Sequence, residues 1–163
     1  MALFDAHLKL GDIKGESKHK DHKEEVELLS FSLGGNQTGT SAHGGGSGAG
    51  KVAMHDVHVV ARLDKASVHL FHAMCSGKHF PEGGKITCRK AGGQQEKFLE
   101  VEVKDVLVSG FQFGGSPGSD TIPTIQFSLN VGTCSMEYFE QDASGKTTSA
   151  GKKTVNIKEM KFA

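Results

Sequence analysis

The chain has 163 residues with nineteen basic and nineteen acidic side chains, so it has no net field to draw in nucleic acid, an anionic membrane surface or an acidic substrate. Its length fits one domain, 1–163, able to bury roughly 70% of the surface that the unfolded chain exposes, and no apolar run approaches the ~20 residues of a membrane-spanning helix. Three widely spaced cysteines, Cys75, Cys88 and Cys134, read as free thiols of a reducing compartment rather than a disulfide framework.

In chain order, residues 3–10 alternate like a strand. The start of the chain lacks the basic and apolar regions of a secretory signal, so synthesis is expected to end in the cytoplasm. Residues 14–23 follow, a polar stretch with four lysines and two histidines, expected as a solvated connection. Residues 26–33 form a second strand whose apolar parity slips from Val26 and Leu28 to Leu29, Phe31 and Leu33. Eight of the 22 glycines then fall between Gly34 and Gly50, without one large apolar side chain among them. A loop of that length is either functional or disordered.

Further strands are predicted over 51–63, 85–91, 99–108, 125–131 and 154–162. In the third of these Leu99, Val101 and Val103 face one way, and Val106 and Val108 take the other parity. A bulge or a barrel bend near Asp105 would produce this switch. Between the strands, Leu70, Phe71 and Met74 predict a short helix over 67–76, capped by Ser67, ended by Gly77 and packed on the sheet through those three side chains. The pattern as a whole predicts a mainly β fold of curved strands in a barrel, with one short helix and an extended loop over 34–50.

Three motifs invite a chemical reading, and each fails. Gly45 to Lys51 has the spacing of a phosphate-binding loop. That loop needs a hydroxyl at the next position and a following helix, and the chain offers Val52 and a strand. His55 with His58 and His69 with His72 are spaced as metal ligands, yet zinc needs a third and usually a fourth protein ligand. The strand pair also points to opposite faces. Finally, no serine sits in a nucleophile elbow, and a glycine-rich loop supports catalytic geometry poorly. No catalytic residue, cofactor or metal is expected.

Several ordered segments carry a resemblance. They are Gly11-Asp-Ile-Lys-Gly-Glu-Ser, Glu25-Val-Glu-Leu-Leu-Ser-Phe-Ser-Leu-Gly, Gly44-Gly-Gly-Ser-Gly-Ala-Gly-Lys, Asp64-Lys-Ala-Ser, Ser76-Gly-Lys-His-Phe, Arg89-Lys-Ala-Gly-Gly and Lys104-Asp-Val-Leu-Val-Ser. Together they resemble the haemolysin-coregulated protein (Hcp) family, the tube protein of the bacterial type VI secretion system. The departures are Phe31 and Leu33, where many relatives carry tryptophan, and Val68, where a proline often opens the helix.

The resemblance implies a structural subunit: a homohexameric ring that stacks on further rings into a hollow tube. It implies sheath and spike proteins as partners and effector proteins in the lumen, with export by this system and without a signal peptide. Neither nucleic acid nor membrane insertion is part of that picture. Gly39, Thr40, Gly44, Gly45, Gly46, Gly48 and Gly50 are then expected in a ring-stacking loop, and Ser32 corresponds to a lumen-facing serine. The alternative is a β-barrel protein-binding module of low oligomeric state.

Overall fold

A computed structural model describes residues 4–38 and 51–163. Its elements are β1 (Phe4–Leu10), β2 (Val26–Ser32), β3 (Gly35–Gln37), β4 (Val52–Met54), β5 (Val57–Arg62), α1 (Ala66–Ser76), β6 (His79–Phe80), β7 (Gly84–Lys90), β8 (Lys97–Gly114), β9 (Thr124–Gln141), β10 (Thr147–Asn156) and β11 (Lys161–Phe162). Six strands close in the order β1-β2-β5-β9-β8-β7 and back to β1, every pair antiparallel. The predicted barrel is therefore present. Strands β10 and β11 extend the sheet beyond β9 as a flap, and β3 pairs with β4 in a separate ribbon.

The core follows from strand alternation. Leu8 and Leu10 on β1, Val57 and Val59 on β5, Ile86 on β7 and Ile125 and Leu129 on β9 are all almost fully shielded from solvent. Each such side chain contributes on the order of 1.5–3 kcal/mol by leaving water.

Both parity slips have structural counterparts. In β2 the register shifts between Leu28 and Ser30, so Leu29 is squeezed out and exposed. The slip near Asp105 has a different origin. Strand β8 buries Val101 and Val103, then Val106 and Val108, while its register with β9 is the same at Lys104↔Thr133 and at Val106↔Val131, with Asp105 and Gly132 left out of the pairing. Asp105 itself has φ +58°, and the residue facing it is Gly132, where a Cβ would lie 2.6 Å from the Asp105 carboxylate. The ladder skips one residue on each strand here, and the ribbon bends without changing register. Its one register shift comes later, between Val108 and Gly110.

Other boundaries moved. The stretch predicted over 51–63 is broken at His55 and Asp56, because the His55 amide donates to Gly34 O (2.8 Å) and the Asp56 carboxylate accepts from Ser109 and Asn130. Strand β9 runs ten residues past the predicted 131, its second half paired with β8 on one side and β10 on the other. The predicted strand over 154–162 is instead the end of β10, a turn and β11.

The helix starts one residue early, and its cap differs. The Asp64 carboxylate accepts from the Ala66 amide (3.0 Å), while Ser67 Oγ reaches back to accept from the Asp64 amide (3.1 Å). The pair caps reciprocally, with Asp64 in the leading role. The buried face is Ala66, Ser67, Leu70 and Ala73, with Met74 packed beside it. Phe71, expected on that face, lies 100° round from Leu70 and is half exposed, its ring 6.0 Å from that of Phe111. Gly77 ends the helix at φ +65° as anticipated.

Two glycines with the same left-handed φ of +65° separate conformational strain from collision. A Cβ on Gly83 would strike the Val103 carbonyl, whereas nothing lies within 4 Å of one on Gly77. Gly77→Ala is expected to lower stability by about 1–2 kcal/mol, and Gly83→Ala by about 3 kcal/mol or more. Urea unfolding of the two variants checks this ordering.

Candidate assembly and cargo surfaces

The outward faces of the barrel divide into two chemistries. Cross-strand register places Ser32, His58, Ser128 and Gly110 in one row over β2, β5, β9 and β8, with Ser30, Val60, Gln126 and Gln112 in the next. Neither row carries a carboxylate, ammonium or guanidinium group. A shallow groove of about 350 Å³ runs between His58, Val60, Gly110, Gln112, Gln126 and Ser128. At one end Ser109 Oγ donates to Asp56 (2.6 Å) and lies 2.8 Å from Ser128 Oγ, while Asn130 Nδ2 donates to the other Asp56 oxygen (2.9 Å). These bonds hold the Asp56 carboxyl below its usual range, the Ser109 hydroxyl contributing most.

The face over β7, the first half of β8 and the second half of β9 is charged. Lys97 and Lys85 pair with Glu100, and Lys152 with Glu102. Such exposed pairs contribute little to stability, about 0–1 kcal/mol each, and serve mainly to keep the surface wet.

A third surface is apolar. Direct pairing sets Cys134, Val155 and Phe162 in one row across β9, β10 and β11, with Met136 and Tyr138 following on the same side of β9. Through Val103↔Cys134, Val101↔Met136 and Leu99↔Tyr138 this side is a direct continuation of the core-facing side of β8. Yet Met136, Tyr138 and Phe162 are 50–62% exposed. Val68, Phe71 and Phe113 form a second exposed apolar group around α1 and the end of β8.

Of the residues singled out in the sequence, Ser32 is exposed at the end of β2, on the uncharged face. Gly39, Thr40, Gly44, Gly45, Gly46, Gly48 and Gly50 lie outside the described residues. Val52 opens a strand, as expected, which removes the helix that a phosphate-binding loop requires. His69 and His72 lie near Asp12 and Lys78, and no three groups among the described residues are placed to hold a metal ion. Reading the sequence missed the meeting of His7, His19 and His22, whose rings stand within 4.8–5.3 Å of one another. Nothing in the sequence marks it, since two of the three belong to the stretch expected to be solvated.

Burial removes nucleophilic character from two thiols. It pushes the Cys88 thiol up to about 11 and raises that of Cys134 as well, leaving almost no thiolate at neutral pH.

The model of the family described as "Type VI secretion system effector, Hcp" matches residues 7–138. The chain belongs to the Hcp family of type VI secretion proteins. It is 44% identical over 142 residues to Protein hcp1 of Pseudomonas aeruginosa, covering 86% of each chain. Among solved structures, one titled "Structure of a type six secretion system protein" superposes with a TM-score of 0.92 at 28% identity, covering 98% of this chain and 99% of that one. Hcp1 from Salmonella typhimurium gives 0.78 at 26% identity, over 99% and 100%. Hcp is a structural secretion family rather than an enzyme family, and no helix among the described residues is long and apolar enough to cross a membrane.

Maleimide labelling of the native protein is expected to leave Cys88 and Cys134 unmodified and to reach Cys75, which is exposed. Mass spectrometry of native and denatured samples checks this, with all three thiols reacting only after unfolding.

Proposed function

We propose that this Hcp protein is the tube subunit of a type VI secretion system, its 163 residues acting as one domain. Six copies close into a ring, rings stack into a hollow tube, and the tube leaves the cell with effector proteins inside, without a signal peptide. The observation that carries this reading is the uncovered continuation of the core face at Met136, Tyr138 and Phe162. Apolar side chains aligned with a buried face and then left in water mark a surface that another chain covers. A ring needs two different patches on each copy, one meeting the other with a rotation that closes. The group around Val68, Phe71 and Phe113 supplies the second.

The uncharged face carrying Ser32 is suited to line the lumen. Hydroxyl and amide groups stay hydrated, and without formal charge they hold no passing protein tightly. Ring stacking falls to the loop between β3 and β4 that contains Gly39, Thr40, Gly44, Gly45, Gly46, Gly48 and Gly50, and type VI sheath and spike proteins are further partners. Glycine lets backbone amides approach a neighbouring strand closely.

Negative-stain images of the purified protein are expected to show six-fold rings, and Tyr138→Glu to give folded monomers with an unchanged far-ultraviolet spectrum. A wild-type protein that stays monomeric at high concentration overturns the tube in favour of a low-order binding module. Deleting residues 38–47 is expected to leave rings intact while abolishing stacking and secretion. Ser32→Gln is expected to change effector retention several-fold with little effect on stability, read by co-purification and thermal melting.

A further inference from the structure

His7 occupies an unusual position. It alternates with Ala6 and Leu8, which point into the barrel, so its own side chain points outward, as those of Asp5 and Lys9 do. Lys9 is exposed, yet His7 is only 3% exposed. The cover is the polar stretch between β1 and β2. The His22 ring lies flat on it, centroids 4.8 Å apart and planes within 7°, and His19 leans on both. That stretch was expected to be a solvated connection, and instead Ser17 and His22 are buried in it.

The hydrogen bonds of the two covering rings assign their protons. The Asp21 amide donates to His19 Nδ1 (3.2 Å), so His19 donates through Nε2 to Gln95 Oε1 (2.9 Å). Arg89 Nε donates to His22 Nε2 (2.8 Å), so His22 donates through Nδ1 to the Glu25 carboxylate (2.8 Å). Both rings thus use one donor and one acceptor, a pattern available only to neutral imidazole. A second proton on either would delete an acceptor, and on His22 it would confront the Arg89 guanidinium. Engagement of all four nitrogens also leaves none for a metal ion. His7 has a buried Nδ1 with no partner.

We propose that His7, His19 and His22 form an acid-sensitive latch, which holds residues 15–25 over the outer face of β1 at neutral pH and releases them on acidification. The groups around it come from every packed element. Asp5 and Lys9 flank His7 on β1, Glu27 of β2 and Thr87 of β7 face it in register, and Arg89 of β7 reaches the cluster. Gln95 approaches from the turn after β7, Glu25 from the entry to β2, and Lys20, Asp21 and Lys23 lie on the latch itself. Burial opposes a charged His7 most, a second proton on His22 or His19 and the Arg89 guanidinium oppose it further, and Asp5 favours it.

Burial and these neighbours lower the His7 pKa to about 4 when covered; uncovered, it returns to about 6.5. Between those limits the open form binds more protons than the closed one. The stabilisation of the closed form is therefore complete above about pH 6.5 and is lost as pH falls towards 4. At pH 5.5 the opening equilibrium is expected to rise about tenfold relative to pH 7.5.

Hydrogen exchange by mass spectrometry on the full-length protein tests this, with rates corrected for the intrinsic effect of pH. The amides of Gly15, Ser17, His22, Glu24 and Glu25 donate the bonds that close the stretch. Their protection is expected to fall about tenfold from pH 7.5 to 5.5 while that of β8 and β9 holds; unchanged protection overturns the latch. His7→Phe keeps a stacked ring but takes no proton, and should show equal protection at both pH values. A pH dependence retained in that variant overturns the role of His7. Should it fail to fold, a proton NMR titration of the wild type decides: a His7 midpoint well below 6.5 that coincides with loss of amide protection over residues 15–25 supports the latch, and a midpoint near 6.5 or one without loss of protection refutes it.

Discussion

The bend at Asp105 and Gly132 is the constraint on which the rest of the molecule turns. Strands β8 and β9 are each 18 residues long, too long to stay flat in a small barrel. By taking a left-handed conformation opposite a residue without a side chain, Asp105 lets the ribbon change its inward parity while the register on either side is kept. The first half of β9 can then pair with β5 to close the barrel, and the second half with β10 to build the flap. The Asp105 amide donates to Pro81 O (3.1 Å), and its carboxylate meets His79 and Lys158. One residue thereby ties the ribbon to the segment after the helix and to the turn before β11.

The same bend distributes surface chemistry. On one side of it the two rows from Ser32 to Gly110 and from Ser30 to Gln112 carry no carboxylate, ammonium or guanidinium group; on the other Lys85 meets Glu100 and Lys152 meets Glu102. Between the two, the inward face of β8 and β9 runs out beyond the barrel as the apolar flap. This partition follows from where a pleated ribbon turns.

Much of this was legible in the sequence, because strict alternation over a core leaves an imprint. The parity changes after Leu28 and near Asp105 mark curvature, and Gly77 marks the end of the helix. What was not legible depended on contacts between distant residues. Strand β10 reads Thr-Thr-Ser-Ala-Gly-Lys-Lys, and its pairing is specified by the edge of β9 instead of a buried face. Phe71 looked like core because only packing on β8 reveals that Ala66, Leu70 and Ala73 form the contact. His7 looked like an ordinary outward polar residue until His19 and His22, a dozen or more positions away, were found lying over it. Ser32 was placed by resemblance, and alternation alone could not have told which outward face would be free of charge.

That uncharged face has a consequence for whatever rests against it. Attraction between ions is screened within about 8 Å at physiological ionic strength and varies with salt, whereas hydrogen bonds from Ser32, Gln112, Gln126 and Ser128, and contact with Val60, draw on no ion atmosphere. A protein held there would be held about equally well in dilute and concentrated media. The strength of such a hold would depend on fit and hydrogen bonding rather than on salt.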